Sequence, residues 1–172
     1  VDQLLLLARF ENQKQNVKQE TIYLNALVLD NLTRFSEKSE NKKLKIKTQF
    51  SEDYYLISDN YLVSIIISNL ISNAIKYSNP NGEIAIELGK TNDEVTFSIT
   101  DYGVGIAKND LDKIFNSFYR SDVSNHPEIK GTGLGLSIVK RLCDLLKLEI
   151  AVESKLKQGT KFVLSFPLAK LK

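Results

Sequence analysis

Residues 59–100, DNYLVSIIISNLISNAIKYSNPNGEIAIELGKTNDEVTFSIT, change their pattern partway along and so decide the class of fold. Asp59 is placed to cap a long helix that runs to about Tyr77, and the turn sequence Ser78-Asn79-Pro80-Asn81-Gly82 ends it. Two strands follow at 83–88 and 94–100, joined through Gly89 and Thr91-Asn92-Asp93 as an antiparallel hairpin. A helix leading into an antiparallel hairpin is not βαβ alternation. The expectation is therefore α+β, a two-layer α/β sandwich with a mixed, mostly antiparallel sheet and three main helices on one face.

The flanking sequence extends this reading. Upstream, residues 1–11 place Leu4, Leu5, Leu7 and Ala8 on one helix. Residues 21–42 carry Leu24, Leu27, Val28, Leu32 and Phe35 at helical spacing, which predicts a second helix. Leu44, Ile46, Thr48 and Phe50 then alternate as a strand, with a short strand after it at 54–57. Downstream, a short helix is expected over 109–118, a polar loop over 120–130, a helix from near Gly133 to about Lys147, and a hairpin of 149–154 with 160–167.

Composition narrows the function classes. A chain of 172 residues with 42 % apolar and 26 % charged residues is of the size and make-up of one ordinary globular domain. A net charge of +2 gives no reason to expect nucleic acid or direct membrane contact. The apolar runs fall well short of the roughly 18 to 20 residues that span a bilayer, and no export leader is read. Cys143, the single cysteine, is expected to be a buried thiol in a reducing compartment.

Three local patterns carry chemistry. On the long helix Asn69 and Asn73 fall inside the apolar arc, where an unpartnered amide costs about 1 to 3 kcal/mol. Oxygen ligation of Mg2+ is one use for them, with Lys76 a cation for phosphate and Tyr77 a flat ring for a base; plain backbone capping by the amides, a solvated Lys76 and a core Tyr77 is the other. Asp101-Tyr102-Gly103-Val104-Gly105-Ile106 puts a carboxylate at a strand end on a two-glycine turn, able to accept from an exocyclic amine or simply to make a β-turn. Gly131-Thr132-Gly133-Leu134-Gly135-Leu136 opens a helix with free N–H groups, a phosphate-binding arrangement that fits neither a dinucleotide fingerprint nor a P-loop.

Taken together these motifs resemble the ATPase domain of bacterial two-component sensor histidine kinases, the Bergerat fold. Residues 69–78 resemble its N box, 101–106 its first glycine box, Phe115-Asn116-Ser117-Phe118-Tyr119-Arg120 its F box, 131–140 its second glycine box, and Gly159-Thr160-Lys161-Phe162 its closing strand. The resemblance covers about residues 44–168, in family order. It implies ATP and Mg2+ as ligands, with Asn73, and Asn69 beside it, on the metal, and Lys76 on phosphate. Tyr77, Asp101, Gly103, Gly105, Ile106, Thr160 and Phe162 would form the adenine site, with Asp101 on N6. Gly131, Thr132, Gly133, Leu134, Gly135 and Leu136 would hold the phosphates, and Tyr119 and Arg120 would flank them, with Asn73 and Arg120 catalytic. Residues 121–130 would be the ATP lid.

The implied reaction moves the γ-phosphoryl group to a histidine, for relay to a response regulator aspartate. His126, the single histidine, lies in the lid stretch and does not suit the acceptor role. Residues 1–15 resemble the end of the second dimerisation helix and its linker, and 16–172 the catalytic domain. The acceptor would then stand on a preceding helix, in a parent anchored at the bacterial inner or plasma membrane with this domain cytoplasmic. A nucleotide-dependent switch that recruits a response regulator, or a serine kinase of the same superfamily, is the alternative.

Overall fold

The computed structural model describes residues 3–12, 17–120, 131 and 133–168. In chain order the elements are α1 (Gln3–Asn12), β1 (Glu20–Tyr23), α2 (Leu24–Arg34), α3 (Ser36–Asn41), β2 (Lys45–Gln49), β3 (Tyr55–Ser58) and α4 (Asn60–Tyr77). They continue with β4 (Glu83–Lys90), β5 (Glu94–Asp101), α5 (Gly135–Leu146), β6 (Glu149–Lys155) and β7 (Gly159–Pro167). A five-stranded sheet runs β2-β4-β5-β7-β6, with β2 and β4 parallel and the remaining pairs antiparallel. This is the expected α+β sandwich.

Strict alternation builds the buried face of the sheet. Ile84, Ile86 and Leu88 of β4, Val95, Phe97 and Ile99 of β5, and Phe162, Leu164 and Phe166 of β7 all point into the core. α4 and α5 pack against each other and onto this face through Ile66, Ile67, Leu70, Ile71, Ile138, Val139, Leu142 and Cys143. Cys143 is fully buried, and burial pushes its thiol up to about 12. Asp59 caps α4 as expected, accepting from the Leu62 amide at 3.1 Å, and its second oxygen accepts from the Lys18 amide at 3.0 Å. No helix among the described residues is long and apolar enough to cross a membrane.

Four local expectations are corrected. The helix read over 21–42 begins as β1, which pairs antiparallel with β3 so that Ile22 is buried while Tyr23 stacks on Tyr55 with ring centroids 5.0 Å apart. β-Branched residues beside an available partner strand outweigh helical spacing there. The same helix breaks again at Phe35, between α2 and α3. The helix read over 109–118 is a 3₁₀ turn, Lys108–Asp110, followed by further turns closed by i→i−3 bonds at Lys113, Asn116 and Tyr119. On α1 Leu6 is buried, while Leu4 and Leu5 are more than half exposed, and the Leu7 side chain lies outside the described residues. Finally, Asn69 and Asn73 are half-buried, like Ser64, Ser68 and Ser72, and line a cleft at the edge of the core.

Candidate nucleotide site

Asp101 ends β5, opposite Thr160 of β7, and lies on the buried face because its strand alternates Val95, Phe97, Ile99, Asp101 inward. Its Oδ1 accepts from the Gly103 amide at 3.0 Å. Burial pushes its carboxyl up to about 6, opposed by backbone donors at Gly103 and Thr160 and by the charge of Lys42. Folding therefore buries an acid whose lone pairs are only partly used.

The turn after it is held by close backbone approach. A Cβ on Gly103 would stand 1.8 Å from the Tyr77 carbonyl oxygen, and one on Gly105, at φ +70°, 2.0 Å from that of Lys155. The Val104 amide donates to the Tyr77 carbonyl at 3.1 Å, the Lys157 amide to the Val104 carbonyl at 2.8 Å, and the Ile106 amide to Ser154 Oγ at 2.8 Å. Ser154 in turn donates to the Gly159 carbonyl at 2.9 Å and meets Thr160 Oγ1 at 2.8 Å. Phe162, on β7, meets Phe115 edge-on with centroids 6.5 Å apart. Asp101, Gly103, Gly105, Ile106, Thr160 and Phe162 thus gather at one end of the sheet.

Tyr77 joins this group to a second one. A cleft of about 80 Å³ is lined by Asn69, Asn73, Lys76, Tyr77, Tyr119, Arg120, Gly131, Gly133, Gly135 and Leu136, with Gln3, Ser72 and Ile114 completing it. Lys76 is half-buried, its ammonium pKa lowered by that burial and by the charges of Lys38 and Arg120. Arg120 hydrogen-bonds the Tyr77 hydroxyl, whose pKa burial nonetheless raises. Tyr119 donates to Asp110 Oδ1, a contact that raises its own pKa. α5 starts at Gly135 with no side-chain cap, so the positive end of its dipole is presented close to Asn69. Leu134 is buried beneath this end and does not line the cleft.

The two asparagines differ. Asn69 is engaged at both ends of its amide, donating to the Ile65 carbonyl at 2.9 Å and accepting from Gln3 Nε2 at 3.2 Å. The Asn73 side chain has no hydrogen-bond partner among the described residues. The described residues hold no group of three or more His, Cys, Asp or Glu suited to a metal. A neutral amide oxygen beside a phosphate-sized cleft fits Mg2+, which keeps waters and takes phosphate oxygens in preference to a full protein cage. Thr132 and the lid stretch 121–130, with His126, lie outside the described residues. Gln3, Lys42 and Ser154 were missed by sequence reasoning, because each acts through contacts distant in sequence.

Residues 58–170 match the family of histidine kinase-, DNA gyrase B- and HSP90-like ATPases. The chain is 33 % identical over 173 residues to the sensor protein RprX of Bacteroides fragilis, covering 99 % of this chain and 33 % of RprX. It is 34 % identical over 170 residues to the sensor protein kinase GraS of Staphylococcus aureus, covering 98 % of this chain and 48 % of GraS. The chain thus spans a third to a half of these relatives. Among solved structures, full-length ShkA in complex with AMPPNP superposes with a TM-score of 0.86 at 25 % identity, over 98 % of this chain and 35 % of that one. The chain belongs to the histidine kinase-, DNA gyrase B- and HSP90-like ATPase family, as a catalytic ATP-binding domain of the bacterial sensor histidine kinase type.

Proposed function

We propose that this domain binds ATP with Mg2+ across the two groups of residues and presents the γ-phosphoryl group to a histidine on a dimerisation helix of its parent, for relay to a response regulator. The observation that carries this reading is the charge of the cleft. Half-buried Lys76 and Arg120 both line it and no carboxylate does so among the described residues, an arrangement unfavourable in the protein alone and relieved by a polyanion.

Each residue then has a physical task. Asp101 accepts from adenine N6 while Ile106, Thr160 and Phe162 wall the base, and Tyr77 closes the pocket on the α4 side. Lys76, the uncapped start of α5, and Gly131 and Gly133 hold the phosphates, the glycines leaving room for backbone approach. Arg120 sits where charge grows on the transferring group. Asn73 would hold Mg2+, which when bound would supply neutralisation of phosphate charge. Residues 1–15 belong to the end of the second dimerisation helix and its linker, residues 16–172 to the catalytic domain, and the parent is anchored at the membrane.

Calorimetry of the 172-residue chain with ATP and Mg2+ is expected to show one binding site. No heat of binding at any accessible concentration would refute the reading. Asn73→Ala is expected to abolish the magnesium-dependent part of the affinity, and an unchanged magnesium dependence would remove Asn73 from the metal.

A further inference from the structure

α4 ends in a turn that must do two jobs: present Lys76 and Tyr77 to the cleft, and offer the Tyr77 carbonyl to the Val104 amide. The last carbonyls of any helix lack intrahelical donors, and the helix dipole makes this end negative. Here one side chain takes three acceptors at once. Lys42 Nζ lies 2.8 Å from the Ile75 carbonyl, 2.8 Å from that of Lys76 and 2.9 Å from that of Ser78. An ammonium has three N–H donors, so all three can be used.

Lys42 is itself anchored. It follows α3, and its carbonyl accepts from the Asn81 amide at 2.8 Å, which ties it to the turn leaving α4. The Ser78 hydroxyl adds a bond to the Ala74 carbonyl at 2.6 Å, so the exit of α4 is held from both sides. From there the connection runs to the base site. Tyr77 carbonyl accepts from Val104, within the turn whose Gly103 amide binds Asp101, and the Gly103 backbone passes so close to that carbonyl that no Cβ fits. A displaced Tyr77 carbonyl displaces this turn.

We propose that Lys42 is a positioning residue of the nucleotide site, its ammonium clamping the end of α4 so that Tyr77, Lys76 and the Asp101 turn keep their mutual geometry. The inference rests on the ATP-binding reading above for its functional meaning, while the clamp itself can be tested without nucleotide. The charge of Lys42 also bears on Asp101, favouring its ionised form; the other groups acting on that carboxyl are the neutral amides of Gly103 and Thr160.

Two variants separate geometry from charge. Lys42→Met keeps the stem and removes both donors and charge. Lys42→Arg keeps the charge, but a planar guanidinium cannot direct three donors at three carbonyls as an ammonium does. In ligand-free protein, amide hydrogen exchange at Val104 is expected to accelerate in both variants. Carbon-13 titration of the Asp101 carboxyl is expected to move upward from about 6 in Lys42→Met and to stay in place in Lys42→Arg. Affinity for ATP with Mg2+, read by calorimetry, is expected to fall roughly tenfold in both, as for loss of a charged hydrogen bond.

Unchanged Val104 exchange together with affinity within about twofold of the parent chain would overturn the proposal. So would an affinity loss that only follows global melting, with the Asp101 midpoint of Lys42→Met unmoved. If Lys42→Met does not fold, parent-like exchange and affinity in Lys42→Arg overturn it alone. Absence of ATP binding by the parent chain, with Val104 protection still lost in the variants, would refute the nucleotide reading and leave the clamp standing.

Discussion

The two glycine turns of this domain are braced to different extents. The first, residues 101–106, is braced by backbone: added Cβ atoms at Gly103 and Gly105 would meet carbonyl oxygens of Tyr77 and Lys155 at 1.8 and 2.0 Å. The second is braced by backbone at its centre, where a Cβ on Gly133, at φ +74°, would stand 2.7 Å from the Phe118 backbone, but abuts only the ends of side chains at its two edges. A Cβ at Gly131 would stand 3.0 Å from Lys76 Nζ, and one at Gly135 2.9 Å from Asn69 Oδ1. Backbone cannot step aside, whereas a lysine ammonium can. The adjustable edges of the second turn suit the flexible phosphates of the proposed ligand, and the fully braced first turn suits its rigid base.

The strongest way to break this contrast is Gly103→Ala. With nowhere for the methyl to go, it is expected to destabilise the fold by about 3 kcal/mol or more, read as a lower midpoint in urea. A parent-like midpoint would mean that the first turn is not braced as described. Gly131→Ala is the matching control at the other end of the scale.

Asp101→Asn comes next, and its effect depends on pH. The Asp101 pKa is raised from 3.8 to about 6, so the group's contribution to stability is complete below about pH 4 and is lost as pH rises through about 6. By linkage the loss amounts to at most about 3 kcal/mol. The asparagine variant is therefore expected to lose less stability between pH 4 and pH 7 than the parent, measured by urea unfolding across that range. Its affinity for ATP is expected to be weaker by about tenfold near neutral pH, with reduced preference for adenine over guanine nucleotides. Equal discrimination in both proteins would remove Asp101 from base reading.

The smallest effect is expected at Gly131→Ala. Lys76 Nζ yields, so stability should change by less than about 0.5 kcal/mol in the same urea measurement. Nucleotide affinity should still fall a few-fold, since the displaced ammonium belongs to the phosphate end. A stability loss as large as that of Gly103→Ala would erase the distinction between the first turn and the edge of the second.

Much of the architecture was readable from local pattern. The hairpins β4–β5 and β6–β7 alternate with period two and close through short turns, so each reports itself. β1 did not, because its partner is remote: Glu20 pairs with Ser58 and Tyr23 with Tyr55. The stretch 109–118 reads as helix because helical spacing does not distinguish a chain of i→i−3 turns from an α-helix. At the site, most of the residues named from motifs lie in two groups joined at Tyr77, while Leu134 is buried beneath the cleft and Thr132 lies outside the described residues. Lys42 carried no signal of its own, because its three acceptors lie 33, 34 and 36 residues away.

The sequence by itself determined where the chain must be glycine, where strands alternate and where α4 begins and ends, since these follow from backbone sterics, side-chain period and capping over a few residues. Only the tertiary structure decided how the site is charged and which amide is left available for a ligand. Burial lifts Asp101, burial and the charges of Lys38 and Arg120 lower the pKa of Lys76, and Gln3 engages Asn69 while Asn73 is left without a partner among the described residues. The reason is that a pKa or a hydrogen bond is set by everything packed around a group, and those neighbours come from six separate elements and turns of the chain or more.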